Sequence, residues 1–290
     1  MKPSGLEPVA GGGWLEKCRR VILLVCLIYA GLVLAALLGQ RHLLYVPESM
    51  SMADETELAR ESGFQPWLDS EGHLMGWHLT AKGTASGVSN GVALIFHGNA
   101  GCAAERGYLA GPIHDATGME VFVLEYPGYG AREGTPSRRS LDLAARKAFQ
   151  SLPASKPCYL VSESIGTGVA GDLAEAFPDR VAGIVMLAPY HDLASVAQRR
   201  LWFLPAYFLL WDRFNPAMAL SHYHGPVQFV VAGADEIIGP QSGLELCRSY
   251  KGPKQLEFVQ GARHNEVAEQ KADWWRSTFG FLHRAVPGGH

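Results

Sequence analysis

The sequence predicts an α/β domain, a mostly parallel sheet with helices on both faces, set behind one amino-terminal membrane helix. Two observations predict the domain. Short apolar runs (Val92 to Phe96, Val121 to Glu125, Cys158 to Val161, Val181 to Leu187, Val227 to Val231) alternate with stretches of helical spacing. Strand–helix alternation is what a parallel sheet requires, and strands buried on both faces read as unbroken apolar runs. A third observation predicts the membrane helix: Val21 to Gly39, VILLVCLIYAGLVLAALLG, carries no charge. At about 1.5 Å per residue it spans roughly 28 Å, close to the hydrocarbon thickness of a bilayer. The chain of 290 residues, 48% hydrophobic, suits one large domain. Its net charge of -3, with no basic cluster outside the amino-terminal region, gives no support for a nucleic-acid partner.

Residues 1–20 read as a cytoplasmic tail and 21–39 as an uncleaved anchor. A cleavable signal has a shorter apolar region and a small-x-small site. Leu37-Leu38-Gly39 offers no such site, and bulky Val25 before Cys26 removes the lipoprotein alternative. Lys17, Arg19 and Arg20 precede the span, whereas Arg41 and then Glu48, Asp54, Glu55 and Glu57 follow it. The positive-inside rule places the domain on the non-cytoplasmic side. Residues 40–62 read as a tether, with Leu43 to Pro47 packing on the domain, which covers 63–284 before a short tail at 285–290. Within the domain, Trp67-Leu68 and Leu74 to Leu79 flank the turn Asp69-Ser70-Glu71-Gly72 as a hairpin. Ala81 to Asn90 is a loop. Helices are expected at Ala103–Thr117, Ser137–Ser151, Ile165–Ala176, Ser242–Tyr250 and Asn265–His283, with a last short strand at Leu256–Val259. An insertion at about 191–223 interrupts the alternation and carries Trp202, Phe203, Tyr207, Phe208 and Trp211. It reads either as an aromatic helix pair on the core or as a lid, with Trp202, Tyr207 and Trp211 as candidate substrate contacts.

The candidate chemistry centres on PCYLVSESIGTGVA, Pro157 to Ala170. A strand runs into small residues and then a helix, so Ser164 falls on a sharp turn. The nucleophile-elbow pattern there is Gly-x-Ser-x-Gly, with Ser162 in the first glycine position and Gly166 in the second. By itself this fits a helix-capping turn serine better than a nucleophile. Three further features follow strands: Phe96-His97-Gly98-Asn99-Ala100-Gly101, Phe229 to Asp235, and Gly261 to Asn265. The glycine-rich turn can aim backbone N–H groups at Ser164 and, with the Ile165 N–H, form an oxyanion hole. His97 reads as a turn histidine satisfied by backbone. The chain order Ser164, Asp235, His264 puts all three at carboxyl ends of strands, where loops of parallel sheets converge.

On the motifs FHGNAG (96–101), EYPGYG (125–130), SESIGTGVA (162–170), AGADEIIGP (232–240) and GARHNE (261–266), the chain resembles the α/β-hydrolase superfamily, and within it the single-span, membrane-anchored abhydrolase-type serine hydrolases. The resemblance covers roughly 43–283. It implies an α/β-hydrolase fold with a helical lid, Ser164 as nucleophile, Asp235 as acid, His264 as base, and the Asn99 and Ile165 N–H groups as oxyanion donors. Two positions depart from the pattern: Ser162 replaces a glycine, and Glu125 stands where aspartate is common and reads as structural. Asp192 is the alternative acid. No cofactor and no metal is expected, since His222, His224 and Asp212 lack a ligand spacing; nor do the five cysteines form a metal or disulfide pattern. The expected activity is hydrolysis of carboxylic esters or thioesters with an apolar acyl group. Alternatives are an amide or peptide hydrolase and a catalytically silent, membrane-tethered binding domain. The substrate partner is a small or lipid-like acyl compound, and oligomeric state is left open.

Overall fold

A computed structural model describes residues 12–81 and 91–285. The first part of the expected tail, most of the loop read at Ala81 to Asn90 and the last five residues therefore lie outside the described residues. In chain order the elements are α1 (Gly12–Leu44), β1 (Val46–Pro47), α2 (Met52–Glu61), β2 (Gln65–Leu68), β3 (Leu74–Leu79), β4 (Val92–Phe96) and β5 (Ala100–Gly101). Next come α3 (Gly107–Thr117), β6 (Glu120–Leu124), α4 (Arg138–Ser151), β7 (Cys158–Glu163), α5 (Gly166–Ala176), β8 (Val181–Leu187), α6 (Leu193–Arg200), α7 (Ala206–Leu209) and α8 (Pro216–Leu220). The chain closes with β9 (Val227–Ala232), α9 (Pro240–Ser249), β10 (Lys254–Val259) and α10 (Ala272–Arg284).

The main sheet has eight strands in the order β10-β9-β8-β7-β4-β6-β3-β2. All neighbours pair in parallel except at one end, where the β2–β3 hairpin and the β3–β6 pair are antiparallel. Strand periodicity divides the core between the two faces. Val92, Leu94 and Phe96 of β4 join the cluster under α4, α5 and α9, while Ala93 and Ile95 join the cluster under α3 and α10. The segment expected as one helix from Asn265 to His283 is broken. A 3-10 turn at Glu266–Ala268 precedes α10, which keeps His264 on a loop.

α1 is a helix of 33 residues, and it is long and apolar enough to cross a membrane. The stretch expected as a tether differs from that expectation. β1 pairs in parallel with β5, Ser51 caps α2 by accepting from the Asp54 N–H, and Tyr45, Glu55 and Ala59 are buried. Its apolar and acidic residues have partners far along the chain, which local composition does not reveal.

Candidate active site

β7 ends at Glu163 and the chain turns at once into α5, leaving Ser164 with a positive φ of 53°. A non-glycine residue adopts that conformation only where surrounding contacts impose it. The Ser164 N–H donates to Leu187 O at 3.0 Å, and Ser164 O accepts from the Thr167 N–H and hydroxyl at 2.9 and 2.7 Å. The turn needs a glycine two residues on: a Cβ at Gly166 would lie 2.3 Å from Phe96 O. Ser162, which replaces the other small residue, is fully buried, and its hydroxyl donates to Val185 O at 3.0 Å in the neighbouring strand. The extra atom is housed between β7 and β8, so it does not crowd the turn.

Ser164, His264 and Asp235 come together in one hydrogen-bonded chain. His264 Nε2 lies 2.9 Å from Ser164 Oγ, and His264 Nδ1 lies 2.8 Å from Asp235 Oδ2. A carboxylate only accepts, so Nδ1 carries the imidazole proton and Nε2 accepts from the serine hydroxyl. Asp235 and His264 are both nearly inaccessible to solvent. Burial works to raise the Asp235 carboxyl. The hydrogen bond and charge of His264 and the N–H groups of Ile238 and Ile237 outweigh it, and the group sits below its ordinary value. Asp192, the alternative acid, is occupied elsewhere: it caps α6 by accepting from the Ser195 N–H at 2.8 Å.

The glycine-rich turn after β4 lies against Ser164. Its carbonyls are held from behind: Tyr126 Oη donates to His97 O at 2.9 Å, and Tyr129 Oη and the Val46 N–H donate to Asn99 O at 2.8 and 2.9 Å. Among the described residues, neither the Asn99 nor the Ile165 N–H donates to a backbone carbonyl. Both residues line one cavity with Ser164. His97 is fully buried and donates from Nδ1 to Gly98 O at 2.9 Å, and burial pushes its pKa down to about 3. It is a neutral structural group of the turn.

Behind the turn sits a buried carboxyl pair absent from the sequence reading as a unit. Glu55 Oε1 accepts from Trp77 Nε1 at 2.7 Å and its Oε2 from the Ala131 N–H, while Glu125 accepts from the Ala103 and Tyr126 N–H groups at 2.8 and 3.2 Å. Burial, the hydrogen bond to Glu125 and its charge push Glu55 up to about 8, and burial also raises Glu125. The pair shares a proton and ties α2 to the segment after β6 that bears Glu125. With Cys102 these groups lie close enough to suggest a metal, but the carboxylate oxygens already accept N–H bonds from Trp77, Ala131, Ala103 and Tyr126. A proton, not a cation, fits this set. The shared proton stabilises the fold fully below the ordinary Glu value of about 4.5, and its contribution is lost as pH rises through about 8. Relative to the wild type, Glu55→Gln should therefore gain thermal stability as pH rises across that window, by at most about 1.4 kcal/mol per pH unit. Calorimetric scans at several pH values check this, and parallel curves for the two proteins would contradict it.

An apolar cavity of ≈ 270 Å³ opens from Ser164. Leu193, Val196, Leu201, Leu204, Leu209 and Leu210 of the insertion form much of its wall. Trp202, Tyr207 and Trp211, the candidate substrate contacts, do not line it. The insertion turns its aliphatic residues inward, and the aromatic residues beside them occupy its outer face: Trp202 is 79% exposed, Tyr207 41% and Trp211 53%. A second groove also reaches Ser164 and His264 and carries the polar side chains of Arg106, Tyr108, Glu163, Asn265 and Glu269. His222, by contrast, pairs with Glu175 and Asp212 with Arg41, away from any shared site.

No protein-family model matches the chain. The chain is similar to an uncharacterized protein of Mycobacterium tuberculosis, with 29% identity over 87% of this chain and 90% of that protein. An α/β-hydrolase domain-containing protein of Arabidopsis thaliana is 23% identical over 76% of this chain and 79% of its own length. A lysophosphatidylserine lipase of Macaca fascicularis is 26% identical over 69% of this chain and 57% of its own length. Among solved structures, a monoacylglycerol lipase of Paleococcus ferrophilus superposes with a TM-score of 0.52 at 20% identity, over 71% of this chain and 96% of that one.

Proposed function

We propose that this chain, which belongs to the α/β-hydrolase superfamily, is a membrane-anchored serine hydrolase of carboxylic esters or thioesters with an apolar acyl group. The observation that carries the reading is the unbroken chain from Ser164 through His264 to Asp235 at the mouth of an apolar cavity. A serine hydroxyl is a poor nucleophile until a base removes its proton during attack. His264 Nε2 takes that proton as Ser164 Oγ bonds to the acyl carbonyl carbon, then delivers it to the leaving oxygen or sulfur. Asp235 holds the Nδ1–H tautomer and stabilises the imidazolium. The N–H groups of Asn99 and Ile165 receive the oxyanion, and a water then releases the acyl group by the same steps in reverse roles.

The apolar cavity accepts the acyl part, and the second groove at His264 accepts the leaving group. The similarity to a lysophosphatidylserine lipase, together with a fold shared with a monoacylglycerol lipase, supports a single-chain acyl lipid as substrate. In this reading 21–39 is the anchor, 63–284 the catalytic domain and 191–223 its lid, and the basic residues Lys17, Arg19 and Arg20 before the span favour a domain outside the cytoplasm. Matched octanoyl ester, thioester and amide substrates test the reading in full-length protein. Ester and thioester turnover should far exceed amide turnover. Amide preference would make the chain an amidase, and no turnover of any of the three would leave a silent fold.

A further inference from the structure

Four residues of the membrane helix, Ala36, Gln40, Leu43 and Leu44, line the same cavity as Ser164. A helix that served only as a tether would have no reason to wall the catalytic cavity. Polar bonds fix it there against the insertion. Tyr29 Oη donates to Phe203 O at 3.1 Å and Gln40 Nε2 to Leu209 O at 3.2 Å; the Trp211 N–H donates to Gln40 Oε1 at 2.7 Å, and Arg41 Nε to Asp212 Oδ2 at 3.0 Å. Tyr29 lies roughly 18 Å before Arg41 on α1, towards the amino-terminal end of the apolar span, at the helix rise per residue. The tip of the insertion therefore runs beside the apolar span, not above it.

The chemistry of that tip matches lipid. Trp202 and Phe208 are 79% and 77% exposed, next to Phe203 and Tyr207, a patch that water disfavours. Its backbone polar groups are also satisfied from within. Arg213 donates to the carbonyls of Tyr207, Phe208 and Leu210, while Gln198 donates to Leu204 O and accepts from the Tyr207 N–H. Irregular backbone tolerates the hydrocarbon region only when its polar groups are paired in this way.

We propose that α1 and the insertion form a side entrance in the plane of the membrane, through which the acyl chain of a single-chain lipid passes from the bilayer into the cavity. Ala36 and Gln40 are then specificity-determining wall residues. The inference rests on the serine-hydrolase reading above. It deepens that reading by making the anchor part of the substrate site.

The test uses full-length protein in phosphatidylcholine vesicles, with Ala36→Trp to fill the wall and Leu38→Trp as control, since Leu38 is 66% exposed and lines no part of the cavity. Ala36→Trp should lower palmitoyl-ester hydrolysis on the order of tenfold, the loss expected for displacing about two methylenes, and butyryl-ester hydrolysis by clearly less. Leu38→Trp should change neither. Equal palmitoyl-to-butyryl ratios in the two variants would overturn the entrance. If Ala36→Trp fails to fold, Ala36→Leu should shift the ratio in the same direction by less, and an unshifted ratio there overturns the proposal equally. Failure of the enzyme reading would look different: wild type would turn over neither ester. In that case displacement of a fluorescent fatty acid from Ser164→Ala protein, weakened by Ala36→Trp and not by Leu38→Trp, still decides the entrance.

Discussion

Ser164→Ala should lower acyl-ester turnover by a factor on the order of 10⁵ or more while leaving the thermal unfolding midpoint unchanged. Among the described residues the Ser164 hydroxyl bonds only to His264 Nε2, so its removal costs the fold little. The chemistry loses its nucleophile outright. His264→Ala should fall by a similar factor, because the hydroxyl then has no base. The informative comparison is the double variant. Groups that act as one unit are not additive, so Ser164→Ala/His264→Ala should be no slower than Ser164→Ala alone. Steady-state kcat on purified protein checks this. A double variant that lost the two factors in full succession would mean that the residues act independently, and the proposed relay would be wrong.

Gly166→Ala should be the most damaging single-atom change near the site. Its Cβ would meet Phe96 O at 2.3 Å and His97 O at 2.8 Å, both backbone atoms that cannot rotate away. Either the elbow or the turn after β4 must move, and these two turns bear Ser164 and Asn99. Forced overpacking of this kind costs about 3 kcal/mol. In a domain of this size that is roughly 6–12 °C in melting temperature. Activity should fall further than the stability loss accounts for, since the displaced backbone carries the proposed oxyanion donors. A variant with wild-type melting and wild-type turnover would contradict the close packing of the two turns.

Much of this arrangement was legible in the sequence because its signals are local. β4, β6, β7, β8 and β9 are apolar runs that bury both faces, and the turn chemistry around Ser164, Asp235 and His264 follows directly after strands. The relative order of those three residues then sufficed to bring them to one edge of a parallel sheet. What the sequence did not reveal depends on contacts between distant segments. Residues 46–61 looked like a linker because their partners, Ala100, Ala131 and Glu125, lie far along the chain. Glu55 reads as one more acidic residue after the span, and only burial beside Glu125 makes it a proton-sharing group. The insertion is more instructive. Its aromatic residues are the most conspicuous, and composition fits both packing on the core and a lid that faces the substrate. Leu201, Leu204, Leu209 and Leu210 take the inward positions instead, and the aromatic side chains cover the outer face beside α1. Aromatic residues are favoured at both a ligand site and a membrane surface, so their presence alone does not choose between the two.

The most direct measurement is mass spectrometry of the full-length protein after reaction with a fluorophosphonate, which forms a stable adduct only with an activated serine. The adduct should reside on Ser164, should disappear in His264→Ala, and should be slowed by prior incubation with a long-chain acyl ester. Folded protein that forms no adduct, or carries it on another serine, would contradict Ser164 as the nucleophile and with it the proposed catalytic relay.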